Sequence, residues 1–432
     1  MRTDGGSAPD GGSNAVRGVD SSGLDFYRGW CVVAGGFVGA LVVFGLSYAF
    51  GVFLEPIQRD LGLSRSGVSF VFSLQTVVIY LAAAILGVLA DRFGVRRLLS
   101  VGAAVLAVGG LWTSRADTYG GLLVAYGGCT AVGLGAIYVV SYATVPRWFG
   151  RRRGLATGIA TAGLGIGMVA LAPAASALVA VLGWRLAILA LVLVSATAVA
   201  GVVPLFADGP SSSDAPVDAV REFPDGVPDR EPPDWDTYRR ELAAVALSRP
   251  FLLVFAGWVL VYATLYVVLV HVVAHASDAG LGDGTGAMAI AVVGATTAVA
   301  RIGIGGLADR LGRVRTFVAC SAVMGLSTLW LPLAGSAIGL YAFAVVFGAA
   351  YGGNGALLSP LTVDLFGSAN PNAIFGLVSL SFAVSGSLAP WLAGLTYDLA
   401  GTYTPAFVGA GIAGLVGSLL IAGADASLET DS

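Results

Sequence analysis

Arg301 is the residue of this sequence most suited to chemistry, because it lies inside an apolar stretch, residues 286–307, that is long enough to cross a bilayer. It precedes Asp309 by eight residues, about 12 Å along a helix, which places it near the bilayer midplane. An Arg at this depth costs at least ~2.5–3.5 kcal/mol on insertion scales, so it needs a partner. A guanidinium binds a carboxylate through two hydrogen bonds, and the sequence therefore predicts an anion site at Arg301. Pairing with backbone carbonyls or with a buried acid is the alternative.

The two histidines of the chain, His271 and His275, lie one helical turn apart in or beside the apolar stretch 250–276. We predict that His271 hydrogen-bonds the substrate and responds to pH, with an ordinary interfacial role as the alternative. His275 is closer to the end of the stretch and is expected to be interfacial. The pair lacks a third ligand for zinc, so no metal site is predicted.

Hydroxyl and amide side chains in other apolar stretches form the second set of candidates. Five tyrosines are expected to bring a hydroxyl toward the centre of a helix bundle: Tyr48, Tyr138, Tyr142, Tyr266 and Tyr351. Each of them could instead serve only in packing. Asn354 lies in a run of three glycines at 352–355, a composition tolerated at membrane depth where backbone lines a cavity. We therefore predict that Asn354 belongs to the substrate site or to a gate.

The elements that must position these residues are membrane-spanning helices. Hydrophobic residues make up 56% of the 432 and charged residues 11%, and the mean hydropathy is +0.85. So few charges could not cover the surface of a water-soluble protein of this length. A helix needs about 20 apolar residues to cross the bilayer. The stretches that qualify are 29–54, 67–89, 98–114, 120–145, 154–181, 185–206, 250–276, 286–307, 316–333, 337–359, 373–395 and 405–423. The sequence thus predicts an all-α integral membrane protein with twelve transmembrane helices.

A duplicated turn divides the twelve helices into two halves. Residues 87–97 recur 218 positions later as 305–315, with seven identical residues. Six helices, a linker and six related helices describe two parallel repeats about an axis normal to the membrane. The predicted organisation is a disordered tail, a first six-helix bundle, a linker, a second six-helix bundle and a short tail, at residues 1–27, 28–206, 207–249, 250–424 and 425–432.

The arginines predict the orientation, because positive charge is retained on the cytoplasmic side. All 23 basic residues are Arg. With the N-terminus inside, eighteen of them fall on the cytoplasmic side and four outside, and Arg301 lies within a span. Both termini are therefore predicted to be cytoplasmic, in a multi-pass protein of the plasma membrane.

The duplicated turn resembles the signature loop of the major facilitator superfamily, and the likeness covers the whole chain. The resemblance implies that Asp91 and Arg92 pair and cap neighbouring helix ends, while Gly94 allows the tight reversal. The second copy contributes Asp309, Arg310 and Gly312, and the two copies open with Gly87 and Gly305. The resemblance implies that these residues hold one conformation and do not bind substrate.

Three shorter segments are similar to the monocarboxylate and oxalate/formate transporter families. They are residues 45–53, residues 147–163, and residues 271–280 followed by Arg301. This resemblance implies that Tyr48 and one tyrosine of the fourth apolar stretch donate hydrogen bonds to a carboxylate.

The departures from these families are informative. Monocarboxylate carriers have Lys four residues after the residue that matches Tyr48, and this chain has Val52. They have Asp four residues before the Arg that matches Arg301, and this chain has Thr297. Residues 375–386 lack the Lys of the oxalate exchangers. A single buried Arg fits a single carboxylate.

These observations predict a secondary active transporter that moves a small organic anion, a monocarboxylate, across the bilayer by alternating access. No catalytic set, nucleotide loop or metal cluster occurs in the sequence, so we expect no enzyme activity, no cofactor and no nucleic-acid partner, and transport driven by a gradient. Proton coupling, uniport and anion exchange stay open, and a monomer is expected. The alternatives are a carrier of a drug, a sugar or an inorganic anion, and a membrane sensor that keeps a carrier fold without transport.

Overall fold

The computed structural model describes residues 28–63, 65–209, 234–368 and 370–431. The predicted tail at 1–27 and the middle of the predicted linker, residues 210–233, lie outside the described residues. All regular structure in the described part is helical, as predicted.

The helices are numbered here in chain order. They are α1 (Arg28–Leu61), α2 (Arg65–Phe93), α3 (Val95–Thr113), α4 (Tyr119–Trp148), α5 (153–182), α6 (184–202), α7 (Trp235–Ala246), α8 (Arg249–Asp278), α9 (Asp283–Leu311), α10 (Arg313–Trp330), α11 (Ala337–Ala356), α12 (Leu358–Phe366), α13 (Pro371–Ala400) and α14 (Thr404–Asp431). Helix α4 contains a wider π-helical segment at Leu123–Thr130 and ends in a 3-10 turn at Val145–Trp148.

Helices α5 and α6 form one helical run, Arg153–Val202, that is broken at a single residue. Fifty residues of helix would extend about 75 Å, more than twice the hydrocarbon thickness of a bilayer. Gly183 interrupts the run with φ 73° and ψ 166°, a conformation that residues with a side chain rarely adopt. Eleven helical runs in the described residues are long and apolar enough to cross a membrane. Because this one provides two crossings, the predicted total of twelve is confirmed.

Packing within each half follows the same scheme. In the first half α1 packs on α5, α2 on α4, and α3 on α4 and α6. In the second half α9 packs on α11, and α10 packs on α11 and α14. Small residues permit these approaches: a Cβ at Gly163 would overlap the backbone of Phe37, and one at Gly110 would overlap Val192.

The two halves meet where α5 crosses α9, and the backbones touch there. A Cβ at Gly305 would lie 2.5 Å from the carbonyl oxygen of Gly154, and a Cβ at Gly154 would overlap the carbonyl oxygen of Gly305. One turn further along α5, a Cβ at Gly158 would overlap the carbonyl oxygen of Arg301. Only glycine allows this separation at these positions.

The crossing of α2 and α13 repeats this contact. A Cβ at Gly87 would overlap the carbonyl oxygen of Asn372, and a Cβ at Gly376 would lie 2.5 Å from that of Ala83. The residues that meet here are those of the α5–α9 crossing shifted by the same 218 positions, with each partner taken from the opposite half. The duplicated sequence therefore produces a duplicated interface, and Ala83 occupies the position that corresponds to Arg301.

This packing predicts different effects for two glycines that lie two residues apart on α9. Gly305→Leu should lower the midpoint of thermal unfolding of the detergent-purified protein, because overpacking of a close contact costs about 1–3 kcal/mol. Gly303→Leu is the matched control, since nothing lies within 4 Å of a Cβ there. Equal midpoints for the two variants would contradict the contact.

Candidate functional site

Arg301 lies at the crossing of the halves, on α9, and its side chain is 1% exposed. It is the only ionisable side chain other than tyrosine and cysteine among the buried polar residues of the described ranges. A Cβ at Gly355 of α11 would lie 2.7 Å from the guanidinium carbon. The last glycine of the run at 352–355 thus makes room for the guanidinium. The sequence predicted that this run lines a cavity, and its contact with Arg301 becomes visible only in the structure.

Tyrosines from both halves surround this guanidinium. The ring of Tyr351 on α11 has its centroid 5.5 Å from the guanidinium carbon. Tyr142 on α4 and Tyr262 on α8 are its other close phenol neighbours. Tyr138 packs on Tyr142, with ring centroids 4.9 Å apart, and lies 3.2 Å from the hydroxyl of Ser379. Because α4 belongs to the first half and α9 and α11 to the second, the site is shared between them.

The guanidinium is only partly satisfied by other protein groups, chiefly by the phenol of Tyr351, with which it is hydrogen-bonded. Its Nε and Nη1 atoms have no hydrogen-bond partner, and neither does the hydroxyl of Tyr142. No Asp or Glu is among the buried side chains of the residues described. Thr297, one turn before Arg301, donates its hydroxyl to the carbonyl oxygen of Gly348 at 3.0 Å. In the described part of the chain, Arg301 therefore does not pair with a buried acid, which was the alternative.

A cavity of about 420 Å³ lies between the two halves. We call it the chamber and define it by its lining: Val43, Phe44, Ser47, Tyr48, Phe72, Thr76, Ile79, Tyr80, Met168, Ala172, Tyr266, Leu269, Val270 and Ile290. Its walls are mainly apolar, and its largest polar groups are three phenols. Ile290 precedes Arg301 by eleven residues on α9, roughly 16 Å, so the chamber extends away from Asp309.

Tyr48 connects the chamber with the guanidinium. It lines the chamber, and its hydroxyl is close enough to Arg301, Tyr142 and Tyr351 for their charges to influence it. Tyr80 and Tyr266, from opposite halves, are hydrogen-bonded to each other in the chamber wall. Of the predicted tyrosines, Tyr48 and Tyr266 lie at the chamber and the others lie behind it. Tyr80 was missed because nothing in its sequence surroundings separates it from a packing tyrosine.

Asn354 is fully buried, and its amide connects three helices of the second half. Tyr262 on α8 donates its hydroxyl to the amide oxygen. The amide nitrogen donates to the hydroxyl of Ser321 on α10 at 2.8 Å. These contacts position Tyr262, which faces Arg301.

His271 lies on the side of α8 that faces α13 and α14. Its Nε2 atom is 3.0 Å from the carbonyl oxygen of Pro390, and its ring lies 4.9 Å from that of Tyr403. His275 contacts Phe407 on the same side. Neither histidine lines the chamber, and both lie on a different face of α8 from Tyr262 and Tyr266.

The duplicated turns lie at one end of the bundle, which also carries Arg92, Arg153 and Arg313 and is called the arginine-rich end. Asp91 accepts hydrogen bonds from the amide of Asn372 at 2.7 Å and the backbone N–H of Ala373 at 2.8 Å, at the start of α13. A carboxylate at a helix N-terminus satisfies free N–H groups and the helix dipole. Asp91 therefore ties the first half to the second.

Asp309 makes the equivalent contact in the opposite direction. It accepts from the backbone N–H groups of Gly154 at 2.8 Å and Leu155 at 2.9 Å, at the start of α5. Gly94 and Gly312, with φ 91° and 97°, provide the two reversals that the sequence predicted. Arg310 is exposed. We call the Asp91 and Asp309 contacts the first and second latch.

The two latches differ in what surrounds them. At the second, Arg313 pairs with Asp309 at 3.0 Å and with Asp364, which also pairs with Arg153 at 2.8 Å. At the first, the guanidinium of Arg92 lies 4.5 Å above the ring of Trp235 on α7. Burial, with a smaller effect of the Asp91 carboxylate, raises the pKa of Tyr238 on α7 above its ordinary value. A helix from the linker thus covers one latch, and ion pairs surround the other.

Comparisons with known proteins agree with this fold. A family model described as Major Facilitator Superfamily matches residues 36–305 and 271–426. Monocarboxylate transporter 12-B of Danio rerio is 29% identical over 411 residues, 91% of this chain and 86% of that protein. Monocarboxylate transporter 3 of Rattus norvegicus is 30% identical over 393 residues, 89% of this chain and 77% of that protein.

Solved structures extend the comparison. The transporter FucP in its outward conformation superposes with a TM-score of 0.68 at 12% identity, over 91% of this chain and 99% of that one. The human organic anion transporter MFSD10 superposes with a TM-score of 0.66 at 16% identity, over the same shares of the two chains. At these identities the likeness shows the fold alone, and it confirms the predicted fold class.

The second latch predicts a measurable change in accessibility at the arginine-rich end. Asp309→Asn removes the charge that Gly154, Leu155 and Arg313 share, and hydrogen bonds to a charged group contribute about 1.5–3 kcal/mol. The reporter is a variant in which the native cysteines are replaced and Ala356→Cys, at a buried position, is the single cysteine. Adding Asp309→Asn to this variant should raise the rate of maleimide labelling at residue 356 several-fold. Asp236→Asn, on the exposed side of α7, is the control. Unchanged labelling in Asp309→Asn would show that the latch does not close this end.

Proposed function

The chain belongs to the Major Facilitator Superfamily, and from that premise we propose that it is a secondary active transporter that carries a small organic monocarboxylate across the membrane. Its similar relatives are named as monocarboxylate transporters, which carry solutes and are not enzymes. The small solute and the bilayer are its partners, and we propose that it acts as a monomer.

The observation that carries the proposal is that the buried guanidinium of Arg301 has no acidic partner and is hydrogen-bonded only in part. Its Nε and Nη1 atoms are buried without a hydrogen-bond partner. A carboxylate would supply two acceptors and the missing negative charge together, which a sugar or another neutral solute cannot do. The hydroxyl of Tyr142, also without a partner, would provide a donor from the first half. A carboxylate bound there would contact both halves at once.

Access from one end follows from the latches and the chamber. Both latches hold the arginine-rich end together, and the chamber lies toward the opposite end. We propose that the arginine-rich end lies on the cytoplasmic side, because positive charge is retained there. The described state then faces outward and both termini are cytoplasmic. We place the protein in the plasma membrane.

Turnover would require the latches to open and the halves to rock about the crossings. The glycine contacts at α5–α9 and α2–α13 provide a surface without protruding side chains for that motion. As the halves rock, a carboxylate bound at Arg301 would lose its access to the chamber and become accessible from the cytoplasmic side. Tyr48, Tyr80 and Tyr266 would guide it from the chamber to the guanidinium, with Tyr138, Tyr142 and Asn354 supporting the site. We propose that His271 stands outside this path, because it lies on the opposite face of α8 against Pro390 and Tyr403.

A carrier of an apolar or drug-like solute is the second candidate, and the mainly apolar chamber favours it. A carrier of this kind would not explain why a charged Arg301 is buried between the halves. A sensor with a carrier fold would bind a carboxylate and show no flux, so transport measurements separate it from both.

We expect Arg301→Lys to abolish uptake of labelled lactate or pyruvate into proteoliposomes. Lys keeps the charge but not the two parallel donors, and disruption of a buried ion pair costs about 3–5 kcal/mol, so uptake should fall more than ~100-fold. Arg239→Lys, on the exposed side of α7, is the matched control. Stabilisation by these carboxylates in thermal unfolding should disappear with Arg301→Lys. Undiminished uptake in that variant would refute the site.

Tyr48→Phe tests the connection between the chamber and Arg301. The ring and its packing on Phe44 remain, while one donor is lost. A hydrogen bond to a charged group contributes about 1.5–3 kcal/mol, so KM for the carboxylate should rise about tenfold or more. Tyr341→Phe is the control, because Tyr341 is not among the residues that line the chamber, and it should leave KM unchanged. Equal KM values for both variants would remove Tyr48 from the proposed path.

A further inference from the structure

The guanidinium of Arg301 is closed off from both ends of the bundle in the described state. On one side of it, the two latches hold the arginine-rich end together. On the other side the chamber stops short of it, because Arg301 is 1% exposed and is not among the residues that line the chamber. Protein side chains must therefore separate the chamber from the guanidinium.

Helix α13 shows which side chains lie at each depth, because it runs from the first latch past the site. Near its start, Phe375 stacks on Tyr142 of the first half, with ring centroids 5.9 Å apart. One turn later, the hydroxyl of Ser379 lies 3.2 Å from that of Tyr138. Tyr142 is a close neighbour of Arg301, so this part of α13 lies at the depth of the guanidinium.

The next turns of α13 lie beside Tyr80 and Tyr266. The ring of Phe382 is 5.1 Å from that of Tyr80, and a Cβ at Gly386 would lie 3.0 Å from the ring of Tyr266. These contacts are roughly 10 and 16 Å further along the helix than Phe375. Both tyrosines also line the chamber. They therefore lie on the chamber side of the guanidinium.

A hydrogen bond joins these two tyrosines across the halves, since Tyr80 belongs to α2 and Tyr266 to α8. The ring of Tyr80 also contacts that of Tyr138 edge to face, with centroids 5.4 Å apart. Tyr138 in turn packs on Tyr142 at 4.9 Å. The bonded pair and the two tyrosines of α4 thus form one contiguous group of aromatic rings between the chamber and the site.

The bond between Tyr80 and Tyr266 differs in strength from the latches at the other end. The latches use the carboxylates of Asp91 and Asp309, whereas this bond joins two neutral hydroxyls. Hydrogen bonds to an ionised group are roughly twice as strong as neutral ones. The chamber side of the site is therefore held more weakly than the arginine-rich end, and it should open first from the described state.

We propose that Tyr80 and Tyr266 are a gate, called the chamber gate, which separates the chamber from Arg301 until their hydrogen bond breaks. This inference rests on the proposed carboxylate transport. It gives the two hydroxyls a positioning role in that transport, because they hold the halves together on the side from which the substrate arrives.

The test measures how fast a small thiol reagent reaches a cysteine behind the gate in the detergent-purified full chain. The native cysteines are replaced, and Ser379→Cys, at a fully buried position, is the single cysteine. Tyr80→Phe keeps the ring and removes the hydroxyl. It should accelerate labelling of residue 379 about fivefold or more, the change expected for loss of a neutral hydrogen bond. Tyr126→Phe is the matched control and should not change the rate, because Tyr126 is a buried tyrosine of the same half that does not line the chamber.

Two further reporters distinguish opening of the gate from a general loosening of the protein. Ser47→Cys lies in the chamber lining, in front of the gate, and should react at the same rate with and without Tyr80→Phe. Ala356→Cys is buried at the arginine-rich end and should also be unaffected. A rise at residue 356 equal to that at residue 379 would overturn the gate.

A double-mutant cycle tests whether the bond itself closes the passage. Tyr266→Phe removes the same bond from the second half, so either single variant and the double variant should accelerate labelling of residue 379 equally. Separate effects that multiply in the double variant, or an unchanged rate in either single variant, would overturn the gate.

These measurements contain no substrate, so they are independent of the uptake experiments. An unchanged labelling rate would overturn the gate and leave carboxylate uptake through Arg301 standing. Absence of saturable lactate uptake into proteoliposomes would remove the proposed function, and with it the role of the gate in transport, whatever the labelling shows.

Discussion

Contact between the backbones of the two halves is the constraint on which the rest of the structure depends. Gly158 of α5 rests on the carbonyl of Arg301, so the residue with the partly unpartnered guanidinium is placed where the halves meet. A bulkier residue at Gly158 would separate the helices and move Arg301 away from Tyr142 of the first half. The latches, the shared site and the chamber all require this separation between α5 and α9.

The sequence was informative where hydropathy and duplication determine structure. Twelve spans, the two glycine reversals and the pairing of equivalent crossings follow from apolar length and from the 218-residue offset. The sequence placed Arg301 inside a span near the bilayer midplane, and the structure adds that it lies where the two halves meet, away from lipid. The structural neighbours and the relatives confirm the fold and the family.

The orientation of side chains around each helix was harder to predict. Helix α8 carries its tyrosines on one face and its histidines on another, so its sequence does not indicate which polar face meets the centre. His271 accordingly faces Pro390, while Tyr262 and Tyr266 face the centre. For the same reason the sequence did not indicate that Tyr80 faces the chamber. It also did not indicate the role of Gly355, because that role depends on how far the side chain of Arg301 extends toward α11.

The single-residue junction at Gly183 has a mechanical consequence. Residues 401–403 separate α13 from α14, whereas α5 and α6 are joined through Gly183 alone. One residue spans only a few ångströms of backbone, so the end of α5 and the start of α6 must stay close together when α5, held at its first turn by Asp309, changes its tilt. Three residues allow the facing ends of α13 and α14 to lie further apart.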